Sequence, residues 1–157
     1  MTLLLTLKLI HVLGAAVLFG TGLGIAFFMY MAHRTGDAAA IAHTARIVVI
    51  ADALFTAGAV IVQPVSGFLL AWTIGYSLSE PWILVSLGLY VLIGLCWLPV
   101  VGIQLRLRNL AADAAKQGAA LPPEYVRLFR IWFWLGWPAL AGVIAIFALM
   151  LWKPRLW

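Results

Sequence analysis

Four long apolar stretches, separated by short polar ones, run along this chain. Leu9 to Ala32 is 24 residues in which His11 is the only Asp, Glu, Lys, Arg or His, and Ile47 to Trp72 is 26 in which Asp52 is. Pro81 to Leu105 has none in 25 residues and Ile131 to Trp152 none in 22. Each exceeds the roughly 20 residues that cross a hydrocarbon core. Between them stand helix-end signals. Gly36-Asp37 offers a break and an N-cap, Ser79-Glu80-Pro81 a cap with proline in the first turn, and Gly118 a stop before Pro122-Pro123 restarts the chain. Between Arg106 and Gln117 the segment RLRNLAADAAKQ keeps helical propensity but loses hydrophobicity, so the third helix extends beyond its span. The pattern predicts an all-α integral membrane protein: a single four-helix transmembrane bundle over residues 1–157, with helices about 3–33, 38–72, 80–117 and 123–153.

Composition supports this reading. The chain is 66% hydrophobic and 10% charged, too apolar to build a water-facing exterior. Met1 to Phe19 resembles a secretory signal, but a signal's apolar region is about 7–15 residues and ends at a small-residue cleavage site. Here the stretch stays apolar through Phe27, Phe28 and Met31, so it is read as the first helix. The single cysteine, Cys96, excludes a disulfide within the chain, a zinc cluster and the C-x-x-C-H attachment of covalent haem. The formal charge of +5 does not mark a nucleic-acid binder, because the basic residues sit at helix ends rather than on an aromatic-studded face.

Those basic residues set an orientation. Of the ten, Arg34, Arg46, Arg106, Arg108, Lys116, Arg127 and Arg130 lie in the first and third loops, against Lys8, Lys153 and Arg155 on the other side. By the positive-inside rule both termini face outward. Trp72, Tyr76, Trp82, Trp152 and Trp157 then fall at the outer interface, where amphipathic rings settle.

Polar side chains within spans cost on the order of 2–3 kcal/mol each, so they face the bundle interior and mark function or a packing bond. At 100° per residue they form one stripe per helix: His11, Ala15, Leu18, Gly22, Met29 and His33 in the first, and Asp52, Thr56, Ala59, Gln63 and Ser66 in the second. The third carries Ser86, Tyr90, Trp97 and Gln104. His11 has room beside its imidazole at Ala15 and Gly22 and is the candidate metal ligand, since neutral imidazole binds haem iron and a four-helix core can house the ring. The simpler role for His11 is a hydrogen bond to a backbone carbonyl, Gln63 or Tyr90. Lys8, one turn outward, is placed to meet a haem propionate. Gln63 and Tyr90 complete the candidate cofactor-binding set. His33 and His43 flank the first loop and read as solvated. Asp52 admits a proton relay or a structural bond with Arg130, Gln104 or a tryptophan N–H. Gln63-Pro64 interrupts the second helix and frees a carbonyl.

The stretches RIVVIADALFTAGAVIVQPVSGFLLAW, GLYVLIGLCWLPVVGIQLRLR, LPPEYVRLFRIWFWLGWPALAGVIAIFALMLWKP and KLIHVLGAAVLFGTGLGIAFF resemble an uncharacterised bacterial family of integral membrane proteins, the domain-of-unknown-function family 2269. That resemblance implies a multi-pass protein of the bacterial inner membrane, with no settled activity. More distantly, Lys8-x-x-His11 and the terminal Lys153-Pro154 are similar to the HemJ-type protoporphyrinogen oxidases, small helical membrane proteins that use haem b. The third span departs from them, having Ser86 where those oxidases carry a lysine, so only His11 carries over and the same oxidase reaction does not. Met150 is the weak candidate for a second axial ligand. The functional expectation is a b-type haem-binding redox protein with no catalytic residue assigned. The alternative is a non-enzymatic subunit packed against a larger membrane complex or a second copy of itself. A channel or transporter would rest on Asp52 alone, and no inverted repeat is visible.

The orientation is testable by cysteine labelling in a Cys96-free background. Ser77→Cys should react with an impermeant reagent from outside and Lys116→Cys should not; the reverse pattern would invert the topology.

Overall fold

A computed structural model describes residues 1–157 and contains helices only. They are α1 (Thr2–Thr35), α2 (Ala38–Ala51), a π-helical turn (Asp52–Thr56), α3 (Ala57–Ile74), α4 (Pro81–Gln117) and α5 (Pro123–Trp152). Because α2, the π turn and α3 are continuous, four helical rods result, each long and apolar enough to cross a membrane: Thr2–Thr35, Ala38–Ile74, Pro81–Gln117 and Pro123–Trp152.

Local chemistry ends each rod. Gly36 takes the left-handed conformation (φ 67°) that a side chain would disfavour, and its N–H closes on the His33 carbonyl. Asp37 then caps α2, its carboxylate accepting from the Ala39 N–H at 2.9 Å. Pro81 and Pro123 open α4 and α5 in the first turn, where a missing N–H costs nothing. The last helix stops at Lys153, the only non-glycine residue with positive φ, just before Pro154. Lys153 Nζ donates to the Tyr76 hydroxyl at 3.0 Å and lies 4.9 Å from the centre of that ring. This ties the end of α5 to the loop between α3 and α4.

Only 23 of the 157 residues are buried, so most of the apolar surface, including Phe27, Phe28, Leu54, Phe55, Leu95 and Trp134, is left for lipid to cover. The buried residues are unevenly distributed. One cluster of 11 fills the half of the bundle nearest the basic loops, with Met29, Ile41, Leu107 and Tyr125 at 1% exposure or less. The half that holds the termini has only Ala71, Trp82 and Ile83 as a buried apolar cluster. Neighbours run α1 against α2 and α3, α2 against α4, and α4 against α5 along their length, with a lighter contact from α1 to α5. No comparable backbone approach joins α3 to α4 or α5. At the terminal end the pairs are bridged by side chains, such as Phe19 against Phe147 with ring centres 5.6 Å apart.

Gly142 of α5 packs closely on the Ile93 side chain of α4. A Cβ added there would lie 2.9 Å from Ile93 Cγ1. Gly142→Val should therefore lower unfolding stability in detergent by about 1–3 kcal/mol, and Ile93→Ala in the same chain should return part of that loss. Unchanged stability of Gly142→Val would show that the two helices are not packed this closely.

Candidate functional site

The polar stripes of the spans meet at two levels. Nearer the termini, α1 brings His11 against α3, where its Nδ1 lies 2.9 Å from Ser66 Oγ. Ser66 has one hydroxyl proton, and its oxygen sits 2.7 Å from the Val62 carbonyl. With that proton spent on Val62, Ser66 accepts from His11, which assigns the ring proton to Nδ1 and leaves the Nε2 lone pair unused. Gly67 makes the approach possible, since a Cβ there would stand 3.2 Å from His11 Cε1. One turn along α1, Gly14 leaves room for Gln63, whose amide carbon lies 3.4 Å from where a Cβ would be. Gln63 is itself buried, and its Oε1 has no hydrogen-bond partner.

Pro64, having no N–H, releases the carbonyl of Val60 four residues earlier. The Tyr90 hydroxyl, arriving from α4, donates to that oxygen. Tyr90 thus repairs the helix break rather than holding His11.

Toward the basic end, the π turn places both Asp52 and Thr56 in the interior. Here the Ala57 N–H reaches back to the Asp52 carbonyl, an i to i−5 bond that sets this turn off from the α-helix on either side. Trp97 Nε1 donates to Asp52 Oδ1 and Oδ2, each at 3.2 Å. With the Gln104 amide oriented by its neighbours, its nitrogen donates to Oδ2 at 3.1 Å and its oxygen accepts from Trp132 Nε1 at 3.3 Å. The chain Trp132–Gln104–Asp52–Trp97 joins α5, α4 and the π turn without any cation. Arg130, one of the partners the sequence offered for Asp52, takes no part.

A family model described as a predicted integral membrane protein, the domain-of-unknown-function family 2269, matches residues 5–154. The chain belongs to this family. No match was found among curated proteins or among solved structures.

In this family 2269 protein the four candidate cofactor residues do not converge as one set. His11 and Gln63 share the α1–α3 contact. Tyr90 is engaged with Val60, and Lys8 is exposed with no hydrogen-bonding partner. Gly22, expected to clear space for His11, is an exposed position with nothing near it, and that space comes from Gly67 on the facing helix instead. Met150 packs against the Ala71–Trp82–Ile83 cluster. His33 is not a solvated loop residue, because it stacks on Phe129 at 3.7 Å between ring centres, whereas His43 is exposed. No group of three or more His, Cys, Asp or Glu side chains is arranged to hold a metal ion. Sequence reading missed Ser66 as the partner of His11 and Trp132 in the Asp52 chain. The signal for Ser66 was its place on the Asp52–Gln63 stripe, and Trp132 carried none.

The Asp52 chain makes a stability prediction. Asp52→Leu strands the Trp97 and Gln104 donors in a buried setting and should cost about 1–3 kcal/mol for each group left unpaired. Asp52→Asn keeps one acceptor oxygen and should cost less. Unfolding of the two variants in detergent measures the difference, and a fully stable Asp52→Leu would remove the structural role.

Proposed function

We propose that this protein is a membrane-embedded b-type haem-binding redox protein in which His11 would hold the iron of a non-covalently bound haem. The observation that carries the reading is the His11–Ser66 bond. A metal-binding histidine characteristically donates one ring N–H to a neighbouring acceptor, which fixes the ring and makes the other nitrogen the more basic ligand. Here Nδ1 is tied to Ser66 Oγ and Nε2 carries the free lone pair. Two further features favour the same place. The Oε1 of Gln63 is buried there without a partner, and α3 and α4 make no close backbone approach at this level. Lys8, exposed one turn further toward the terminus, supplies a cation at the height where a propionate would emerge.

In this reading the chain's own residues have separate tasks. Ser66 orients the imidazole, Gly67 and Gly14 let α1 sit close enough on α3 for it to do so, and Tyr90 keeps the broken backbone of α3 from competing for the site. When bound, haem would supply one-electron chemistry within the apolar part of the bundle. The likeness of Lys8-x-x-His11 to the haem-using oxidases agrees with this assignment.

A second reading, a non-enzymatic subunit of a membrane complex or homo-oligomer, is favoured by the open surface of α1. Gly20 and Gly22 have nothing within 4 Å of a Cβ position, and Phe27 and Phe28 lie exposed beyond them. Small residues of this kind let another helix approach closely.

Absorbance separates the two. Protein expressed with ample haem supply should show a Soret band that shifts on reduction with dithionite, with iron near one per chain. His11→Ala should lose it, and Ser66→Ala should weaken haem retention about 10–100-fold. With no Soret band and no iron, the subunit reading takes over; a band that survives His11→Ala unchanged would remove the ligand assignment alone.

A further inference from the structure

We propose that the basic end of the bundle carries a binding site for the phosphodiester of an anionic phospholipid, held by Arg34 of α1 and Arg130 of α5. The two arginines line one cavity of about 470 Å³ together with Tyr30, His33, Phe133 and Trp134. The composition of that wall is what a lipid headgroup requires. Guanidinium is planar, permanently charged and matched to the oxygens of a phosphate, and neither Arg34 nor Arg130 has an acidic partner within 4 Å. The one ion pair of the molecule is Arg106 with Glu124. Asp37, the acid nearest Arg34 in sequence, caps α2.

Position along the spans sets the depth. Arg34 follows the uncharged end of α1's apolar run, and Arg130 immediately precedes the uncharged run Ile131–Trp152. Both therefore stand where hydrocarbon gives way to headgroups, and basic pockets between helices at that level bind acidic lipids. The aromatic side chains complete the match. Trp134 is 69% exposed and Tyr30 39%, leaving amphipathic rings open beside the arginines along the path that acyl chains would take. Also in the lining, His33 is stacked on Phe129, and its Nδ1 is buried without a partner. An adjoining cavity shares Arg130 and adds Arg127, which has no ion pair either. Free phosphate would satisfy the arginines but make no use of the aromatic wall, so the site favours the lipid.

The site is independent of the haem reading, lying at the other end of α1 from His11. Thermal unfolding of the purified protein in a non-ionic detergent would be followed with added phosphatidylglycerol, phosphatidylcholine or inorganic phosphate. Phosphatidylglycerol should raise the midpoint, and the other two should not at equal concentration. In Arg34→Gln/Arg130→Gln the apparent affinity for phosphatidylglycerol should fall about thirtyfold, roughly fivefold for each cation lost, while Arg46→Gln/Arg108→Gln should keep it. Equal stabilisation by phosphatidylcholine overturns the proposal, as does an undiminished response in Arg34→Gln/Arg130→Gln or an equal loss in the control pair. Stabilisation by inorganic phosphate alone would make the ligand a free anion and overturn the lipid assignment. Should the double variant fail to fold, native mass spectrometry of the parent chain decides. Retention of phosphatidylglycerol over phosphatidylcholine supports the site, and equal retention rejects it.

Discussion

Hydrocarbon offers no hydrogen bonds, so a chain that crosses it must pair its polar groups internally, and most features of this bundle follow from that requirement. Helices satisfy the backbone, and three features of the second rod would otherwise break the rule: the proline at position 64, the π turn, and the carboxyl group of Asp52. The π turn closes its own backbone through the Ala57 N–H, and the other two are answered from α4. Tyr90 donates to the carbonyl that Pro64 releases, and Trp97 and Gln104 both donate to Asp52, within the turn itself. These donors span 14 residues of one helix face, about 21 Å along the axis. Apolar side chains packed in lipid discriminate weakly between neighbouring registers, because lipid tails are as apolar as the partner helix. Directional bonds at both ends of a shared stripe do discriminate, and they fix how α4 lies along the second rod.

The same requirement accounts for the difference between the two halves. Near the basic loops, the interior is filled by Met29, Ile41, Leu107, Tyr125 and Phe129, and the Asp52 chain closes it from above. Near the termini the interior is a polar seam of His11, Gln63, Ser66 and Ser86 with little apolar packing around it. A well-packed half can anchor the bundle while a thinly packed one takes part in binding, which is why the haem proposal falls at the termini rather than at Asp52. The Asp52 chain itself reads as structure. Both carboxyl oxygens are engaged by neutral donors.

Much of this is legible in the amino-acid sequence. The four spans follow from charge-free lengths, and the three stripes from angular projection; of the third, Tyr90, Trp97 and Gln104 do reach the second rod. What escaped reading has specific physical causes. A π turn has no sequence signature, since Asp52–Thr56 is an ordinary apolar segment apart from its carboxylate. Projection gives the direction in which a residue points but not whether a helix stands there, so it assigns to Gly22 space that belongs to Gly67 on a different helix. His33 lies next to a loop in sequence and so reads as solvated. Yet α5 begins far enough below its span for Tyr125 and Phe129 to rise beside the end of α1 and cover the ring.

Both proposed sites involve α1, and the way this helix is held gives that a consequence. Of its 34 residues only Ile25, Met29 and Ala32 are buried, all toward the basic end. Its first half is fastened to α3 chiefly by polar contact at His11 and by the close fit of Gly14 and Gly67. Elements with little buried apolar surface open at the lowest free energy, and binding groups are commonly drawn from them. His11 and Arg34 stand 23 residues apart on this one rod, about 34 Å, which is the thickness of the hydrocarbon core plus a margin. A phosphodiester bridging Arg34 to Arg130 would add a polar link between α1 and α5, which here are joined by stacked rings rather than by close backbone approach. A ligand at His11 would fasten the opposite end of the same helix. The two sites would therefore bear on α1 in different ways, one adding to an end already packed in the interior and the other fastening the half that has no buried residue.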